Sequence, residues 1–377
     1  MLVGSSVASG CDFIARQPLE TALAWIDAVP SAPAVEDIAV AEAGGRLLAR
    51  PVHARRDHPE ADRAAVDGNA VRARDTLGAG AYSPLFPALA VAVSAGAPMP
   101  AGTDAVVALE AARPMDDGGI EVTAPVAEGE GVERAGRRLR NGAPALEVTG
   151  RPLRPDQLGL LADLGPATVA VFAPPRVSLT VRGAKAPDAD ALTPMLRGLI
   201  LRDGGVVAGD SRADLIVIAG RSGSGSDDDA AARLFEAGGR LDLHGFALRP
   251  GGSAGLGWLG GVPVALLPGE PLACLTAWEL LVARLLRRLG GRADPSPHPT
   301  VVVPAGRKFV SRIGSVDVVR VRLVDGRAEP TGSLEGGGLA AAARADGFVV
   351  IPAAREGHAP GEPVTVHLSG SMSHDRG

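Results

Sequence analysis

The chain is 377 residues long, more than one hydrophobic core usually serves, so two to four domains are expected. Apolar residues make up 46% of it but aromatics only 3%, which leaves Ala, Val and Leu to fill the cores; 50 Gly and 31 Pro interleaved with apolar runs indicate many turns rather than disorder. With 38 basic and 43 acidic residues the formal charge is -5, which excludes a global attraction to nucleic acid or to an anionic membrane, so a polyanionic small molecule would need a local basic pocket. Cys11 and Cys274 lie far apart and outside any CxxC, which argues against a disulfide framework or zinc site and for a reducing cytoplasm. No basic stretch followed by a long apolar one opens the chain, and no run reaches the ~18 apolar residues that span a bilayer, so neither export nor membrane insertion is expected.

From Pro18 to Arg50 apolar residues recur at roughly helical spacing around the turn Val29-Pro30-Ser31-Ala32-Pro33, which predicts two helices. From Pro51 to about Asn141 short Val-rich segments alternate with Gly, Pro and Asp clusters, the pattern of a small β-rich domain. Arg154 to Gly165 carries Leu158, Leu160, Leu161 and Leu164 on a helical period and stops at a glycine, which predicts one short helix. From Pro174 the pattern becomes βα. Strands are predicted at RVSLTV, Asp214 to Gly220 and Val262 to Gly269, and helices at Leu192 to Arg202, Asp228 to Ala237 and Leu272 to Leu289. Such alternation implies a largely parallel sheet covered by helices on both faces. Ala293 to Pro299 is a linker, after which VVRVRLV, GFVVIP and PVTVHLS predict a last small β domain.

Several segments, taken in order, resemble one family. DRAAVDGNAVR (Asp62 to Arg72) resembles DxSAMDGYAxR, and Val93 to Glu110 resembles xxTGAPxPxGADAVVxxE. DLIVIAGRSGSGSDDD, LHGFALRPGG and VPVALLPGEPLACLTAWEL resemble DxxxxSGGVSVGDxD, the KPG segment and the LPGNP segment, all signatures of the molybdenum insertase (molybdopterin molybdenumtransferase) family, to which the gephyrin E domain is also similar. The resemblance implies a multidomain α/β plus β architecture. Residues 1–50 and 142–173 would form a split elongated helical domain, and 51–141 a β-rich domain. Residues 174–295 would form a three-layer molybdopterin-binding α/β domain with a mostly parallel sheet, and 296–377 a C-terminal β-barrel-like domain. It also implies a homodimer, contact with other molybdenum-cofactor enzymes, and a reaction in which molybdate is inserted into adenylylated molybdopterin with Mg2+ and release of AMP.

The residues can be weighed separately from the resemblance. The turn after DLIVIAG, with Gly220, Ser222, Gly223 and Ser224, can present backbone N–H groups to a phosphate, or be a plain βα turn. Pro268, Gly269 and Glu270 end a second strand, so both loops should share the carboxyl edge of the sheet, where open α/β folds bind ligands. Asp227 and Asp228 could hold Mg2+ through oxygen, or serve as acids at a helix start; the resemblance makes Asp228 a catalytic metal ligand. Asp67 matches the Asp of MDGYA, implied by the resemblance to reach the active site from a neighbouring subunit, although an Asp before Gly68 also caps a turn. Arg249 stands at the Lys of KPG and could fork onto a phosphate or a pterin edge. Arg137 and Arg140 could face the same substrate or only solvent.

The departures from the family pattern fall on polar positions. Ala95 replaces a Thr, Ala143-Pro144 an acidic pair, Ser226 an Asp, and Val181 to Lys185 the STGDE loop; Glu270 replaces the Asn of LPGNP. A carboxylate at that place repels a phosphate unless Arg249, Lys185 or a metal compensates. Two functions therefore follow from the resemblance: an insertase, or a diverged paralogue that carries molybdopterin or the finished cofactor without turnover.

Overall fold

The computed structural model describes residues 16–116, 118–183, 190–209, 212–223, 225, 228–331 and 338–370. The chain forms two compact units, one made of the segment up to Glu36 together with everything from Phe172 onward, the other of Asp37–Val171. Ser224, Asp227 and Lys185 lie outside the described residues. Among the described residues, no helix is long and apolar enough to cross a membrane.

In the Asp37–Val171 unit, strand Gly68–Val71 runs antiparallel between Ala90–Val93 and Ala105–Ala108. Its apolar side joins Val71, Ala105, Val107, Ile120 and Val122 in one core, and Leu48, Leu146, Leu153, Leu161 and Val171 form a second around helix Pro155–Leu164. That helix starts with proline in its first turn, a place that needs no N–H, while the Gln157 side chain accepts from the Arg154 N–H; it ends at Gly165 with φ 76°. Of the two helices predicted before Arg50 only the first forms. The second segment is strand Val35–Ala39, which pairs with Thr168–Phe172, followed by a single 3-10 turn, Val40–Glu42. β-branched Val35 and Ile38 after Pro33 suit an extended ladder better than a helix, and here a partner strand was available.

The other unit opens with helix α1 (Leu19–Ala28), then builds an α/β layer. Its elements are β1 (Arg176–Val181), α2 (Leu192–Arg202), β2 (Val206–Ala208), β3 (Leu215–Ala219) and α3 (Ala230–Glu236), then β4 (Arg240–His244), β5 (Leu248–Arg249), β6 (Gly255–Leu259) and β7 (Val262–Leu267). The sheet order is β2-β1-β3-β7-β6-β4; the β2, β1, β3 and β7 pairings are parallel, and β6 and β4 add antiparallel. The sheet is largely parallel, as expected, with an antiparallel pair of strands added at one edge. β4 and β6 escape sequence reading because Gly255 and Gly257 break the β-branched pattern; a Cβ at Gly257 would stand 2.0 Å from the Arg240 carbonyl oxygen, so only glycine permits the pairing.

Period-two alternation sends Leu215, Val217 and Ala219 to one face of the sheet and Ile216 and Ile218 to the other. The first face packs on α1, α2 and the long helical segment after β7, around the fully buried Trp278; the second packs on α3 through Ala230, Ala231 and Leu234. That long segment consists of α4 (Pro271–Ala277), a π turn (Trp278–Val282) and α5 (Ala283–Leu289). The wider turn brings consecutive Trp278 and Glu279 both inward, where the Trp278 indole donates to Asp203 at 2.8 Å and Glu279 meets Arg320 at 2.9 Å.

The last layer comprises β8 (Thr300–Pro304), β9 (Val316–Val324), β10 (Arg327–Pro330), β11 (Gly347–Ile351) and β12 (Pro363–Leu368). β5 leaves the α/β layer to pair in parallel with β9, giving the order β5-β9-β11-β12-β8, with β10 also on β9. No continuous ladder among the described residues closes this sheet into the expected barrel; an isolated bridge, Ala305 to Ala328, joins its ends. β9 is buried on both sides, sending Val319 and Val321 to the sheet's own core and Val316 and Val318 to the α/β core.

Candidate functional site

β1, β3 and β7 are parallel, so the segments after them, beginning at Arg182, Gly220 and Pro268, emerge at one edge. The latter two touch. Gly220 N–H donates to the Leu267 carbonyl at 2.9 Å, and a methyl added at Gly269 would stand 3.3 Å from the Gly220 Cα. Gly220, at φ 93°, also lies against the β1 exit: its missing Cβ would fall 2.1 Å from the Arg182 carbonyl oxygen. Glycine at these crests is thus what lets the three strand ends close on one another.

A fourth segment completes the group. Ser253 Oγ lies 3.2 Å from Ser222 Oγ, and His244, at the end of β4, directs Nε2 at the Ser222 carbonyl at 2.9 Å. A carbonyl can only accept, so Nε2 carries the proton; burial pushes the imidazole pKa below its ordinary value, against the pull of the Ser222 and Ser253 carbonyls and of Asp228. Ser222 is buried, whereas Arg221 beside it is exposed.

The acidic side chains here are engaged by donors of the fold itself. Asp228 Oδ2 accepts from Gly225 N–H at 2.8 Å while Asp228 N–H donates to the Gly225 carbonyl at 2.9 Å, so this residue closes the turn. Asp229 meets Arg233 Nε at 2.6 Å and Arg182 Nη2 at 3.7 Å; the Arg233 bond leads in holding its carboxyl below the usual range, with Arg182 and Arg221 adding to it. Glu270 folds back over α4, accepting from Leu272 N–H at 3.0 Å and Ala273 N–H at 2.7 Å. The charge that replaced the family's Asn is therefore met by the helix's own first N–H groups. Of the two basic candidates, Lys185 is outside the described residues, and Arg249 forks onto Asp317 with both bonds at 2.9 Å. Asp317 is fully buried and takes a third bond from Ser311 at 2.8 Å.

The remaining predicted residues sit in the Asp37–Val171 unit. Asp67 Oδ1 accepts from Ala95 N–H at 2.7 Å, and Gly68 is required beside it because a Cβ there would stand 2.1 Å from the Val107 carbonyl oxygen. Arg137 and Arg140 are exposed on the turn after Gly136. Gly220, Ser222, Gly223, Pro268, Gly269, Glu270 and Asp228 are thus brought together, and Arg249 is tied behind them. Arg182, Arg221, His244 and Ser253 belong to the group without having been singled out; the detectable signals were an Arg inside a glycine-rich turn and a His-Gly at a segment end.

Comparison with known proteins gives a consistent assignment. Residues 17–165 match the family model described as the MoeA N-terminal region (domain I and II), and residues 302–369 match that of the MoeA C-terminal region (domain IV). Molybdopterin molybdenumtransferase 1 of Mycobacterium tuberculosis is 30% identical over 343 residues, covering 74% of this chain and 79% of that protein. A molybdopterin biosynthesis protein of Methanocaldococcus jannaschii is 27% identical over 380 residues, covering 89% of this chain and 92% of its own. The solved structure of a molybdopterin biosynthesis MoeA protein from Pyrococcus horikoshii has a TM-score of 0.78 at 30% identity, covering 94% of this chain and 99% of that one.

Proposed function

The chain belongs to the MoeA family, and we propose that it acts in molybdenum-cofactor biosynthesis as a molybdopterin molybdenumtransferase. Adenylylated molybdopterin and molybdate would be its substrates; water cleaves the phosphoanhydride bond joining the pterin phosphate to AMP, AMP leaves, and the two dithiolene sulfurs bond to molybdenum as molybdate gives up oxygen as water. The observation that carries this reading is the contact between the Gly220 and Gly269 loops at the carboxyl edge of the sheet, the place where open α/β folds bind their ligands. In it Gly220, Ser222, Gly223, Pro268 and Gly269 surround the phosphate, Asp228 shapes the turn, and Arg249 braces the layer behind. Asp67 keeps the role the resemblance gives it, positioning the reacting oxyanion from a second copy in a homodimer, with Arg137 and Arg140 facing the anionic substrate. The four-region division, contact with other molybdenum-cofactor enzymes and a cytoplasmic location belong to the same reading.

Magnesium is the finer question. Among the described residues no group of three His, Cys, Asp or Glu is placed to hold a metal, and Asp228, Asp229 and Glu270 are each bonded within the fold. The described donors do not fit a Mg2+ cradle. The same engagement of the acidic groups favours a second reading, a carrier that holds molybdopterin without turnover. Titration of the full chain with molybdopterin and with its adenylylated form, followed by molybdate and measurement of AMP, separates them. AMP release supports the transferase; binding without AMP supports the carrier; binding of neither removes both.

A further inference from the structure

We infer that Arg221 and Arg182 form an arginine clamp for the phosphate-type anion of the substrate, supplying from side chains the counter-charge that the resemblance assigns to magnesium. Arg221 occupies the crest of the loop after β3 with φ 54°, the left-handed region that suits glycine and crowds any residue bearing a Cβ. Only two described non-glycine residues adopt a positive φ, and the other, Asp325, turns a hairpin whose neighbour is Gly326. An arginine kept in so unfavourable a conformation, at the meeting point of three strand-end segments, is better explained by what its side chain does than by the turn, which glycine would make with less strain.

Position supports this. A methyl at Gly269 would stand 3.7 Å from the Arg221 backbone nitrogen, and one at Gly183 would stand 3.4 Å from the Arg221 side-chain Nε and 3.5 Å from its Cγ. The side chain thus runs from the Gly220 loop across to the segment after β1, where Arg182 is half-buried with Nη2 3.7 Å from Asp229 Oδ2. Glu270 and Asp228 face backbone N–H groups, so their negative charge is locally met, and the carboxylate beside the two guanidinium groups, Asp229, is held by Arg233 as well, which leaves this edge with an excess of positive charge. Guanidinium forks match the paired oxygens of phosphates and phosphoanhydrides, and their charge does not depend on pH or metal supply. That the anion is the pterin's phosphate rests on the proposed function; the clamp itself does not.

The test uses the full chain in EDTA at low salt, titrated calorimetrically with inorganic pyrophosphate. Arg221→Gly is the informative variant because glycine accepts φ 54° without strain. The expected result is metal-free binding by the unaltered protein, weakened about ten- to a hundred-fold in Arg221→Gly, with no fall in the thermal midpoint. Arg221→Lys, which keeps charge but loses the fork, should fall between, and Arg182→Ala should match the glycine variant. Binding that appears only when Mg2+ is added, or that is unchanged in Arg221→Gly, overturns the inference. Arg221-dependent pyrophosphate binding in a protein that ignores molybdopterin upholds the clamp while removing the proposed function.

Discussion

Arg249 separates a bracing role from a ligand-binding one. Its guanidinium makes two bonds of 2.9 Å to an Asp317 carboxylate that is fully buried and has, among the described residues, one other donor, Ser311, at 2.8 Å. Arg249→Ala leaves that carboxylate with a single hydroxyl partner, and stranding one member of a buried pair costs about 3–5 kcal/mol. In urea unfolding the midpoint should fall by about 1–5 M at an unchanged slope, taking a slope of roughly 1–3 kcal/mol/M. The double variant Arg249→Met, Asp317→Leu removes both charges and replaces them with apolar bulk, so most of the loss should return, a coupling beyond the ~0.5 kcal/mol expected of independent sites. Pyrophosphate affinity, measured under conditions where Arg249→Ala remains folded, should change less than about two-fold, well short of the effect of losing a charged hydrogen bond to the ligand. A single variant within about 1 kcal/mol of the parent, the range of exposed pairs, would refute the buried pairing; a tenfold loss of affinity would restore Arg249 as a ligand contact.

Three further outcomes are expected. Glu270→Ala should cost about 0.5–2 kcal/mol through the lost cap, whereas Glu270→Asn keeps a good capping side chain and should cost only a few tenths; equal losses in the two would show that the cap is not what Glu270 contributes. Cys274 is fully buried and its thiol is pushed up to about 12 by burial, with Glu270 adding, so alkylation at pH 8 followed site by site in a mass spectrometer should spare it until the protein unfolds. His244, His298 and His367 are each held below the ordinary imidazole pKa by burial, so the unfolded chain binds protons first as acid is added. Their stabilising contribution is complete above about pH 6.5 and is lost as pH falls through the lower folded values; His244→Gln should flatten the fall in unfolding free energy between about pH 7 and 5, and an unchanged slope would refute the neutral assignment.

The sequence by itself determined the elements whose cause is local. Period-two apolar runs at β1, β3 and β7, the Pro155 start and Gly165 stop of one helix, and the glycines at the strand exits are all legible because each follows from one residue's backbone preference or one segment's period. Family motifs in order placed the chain among its relatives for the same reason, since they are strings of such local requirements. What only the tertiary structure decided is which groups answer one another. Val35–Ala39 became a strand because Thr168–Phe172 lay beside it, and β4 and β6 formed because Gly257 let two backbones approach. Glu270 and Arg249 look like an interacting pair of charges in the sequence, yet the first turns to the amides of its own helix and the second to Asp317, 68 positions along the chain. Electrostatic partnership falls off with distance in space and is indifferent to distance along the chain, so no spacing rule could have revealed it.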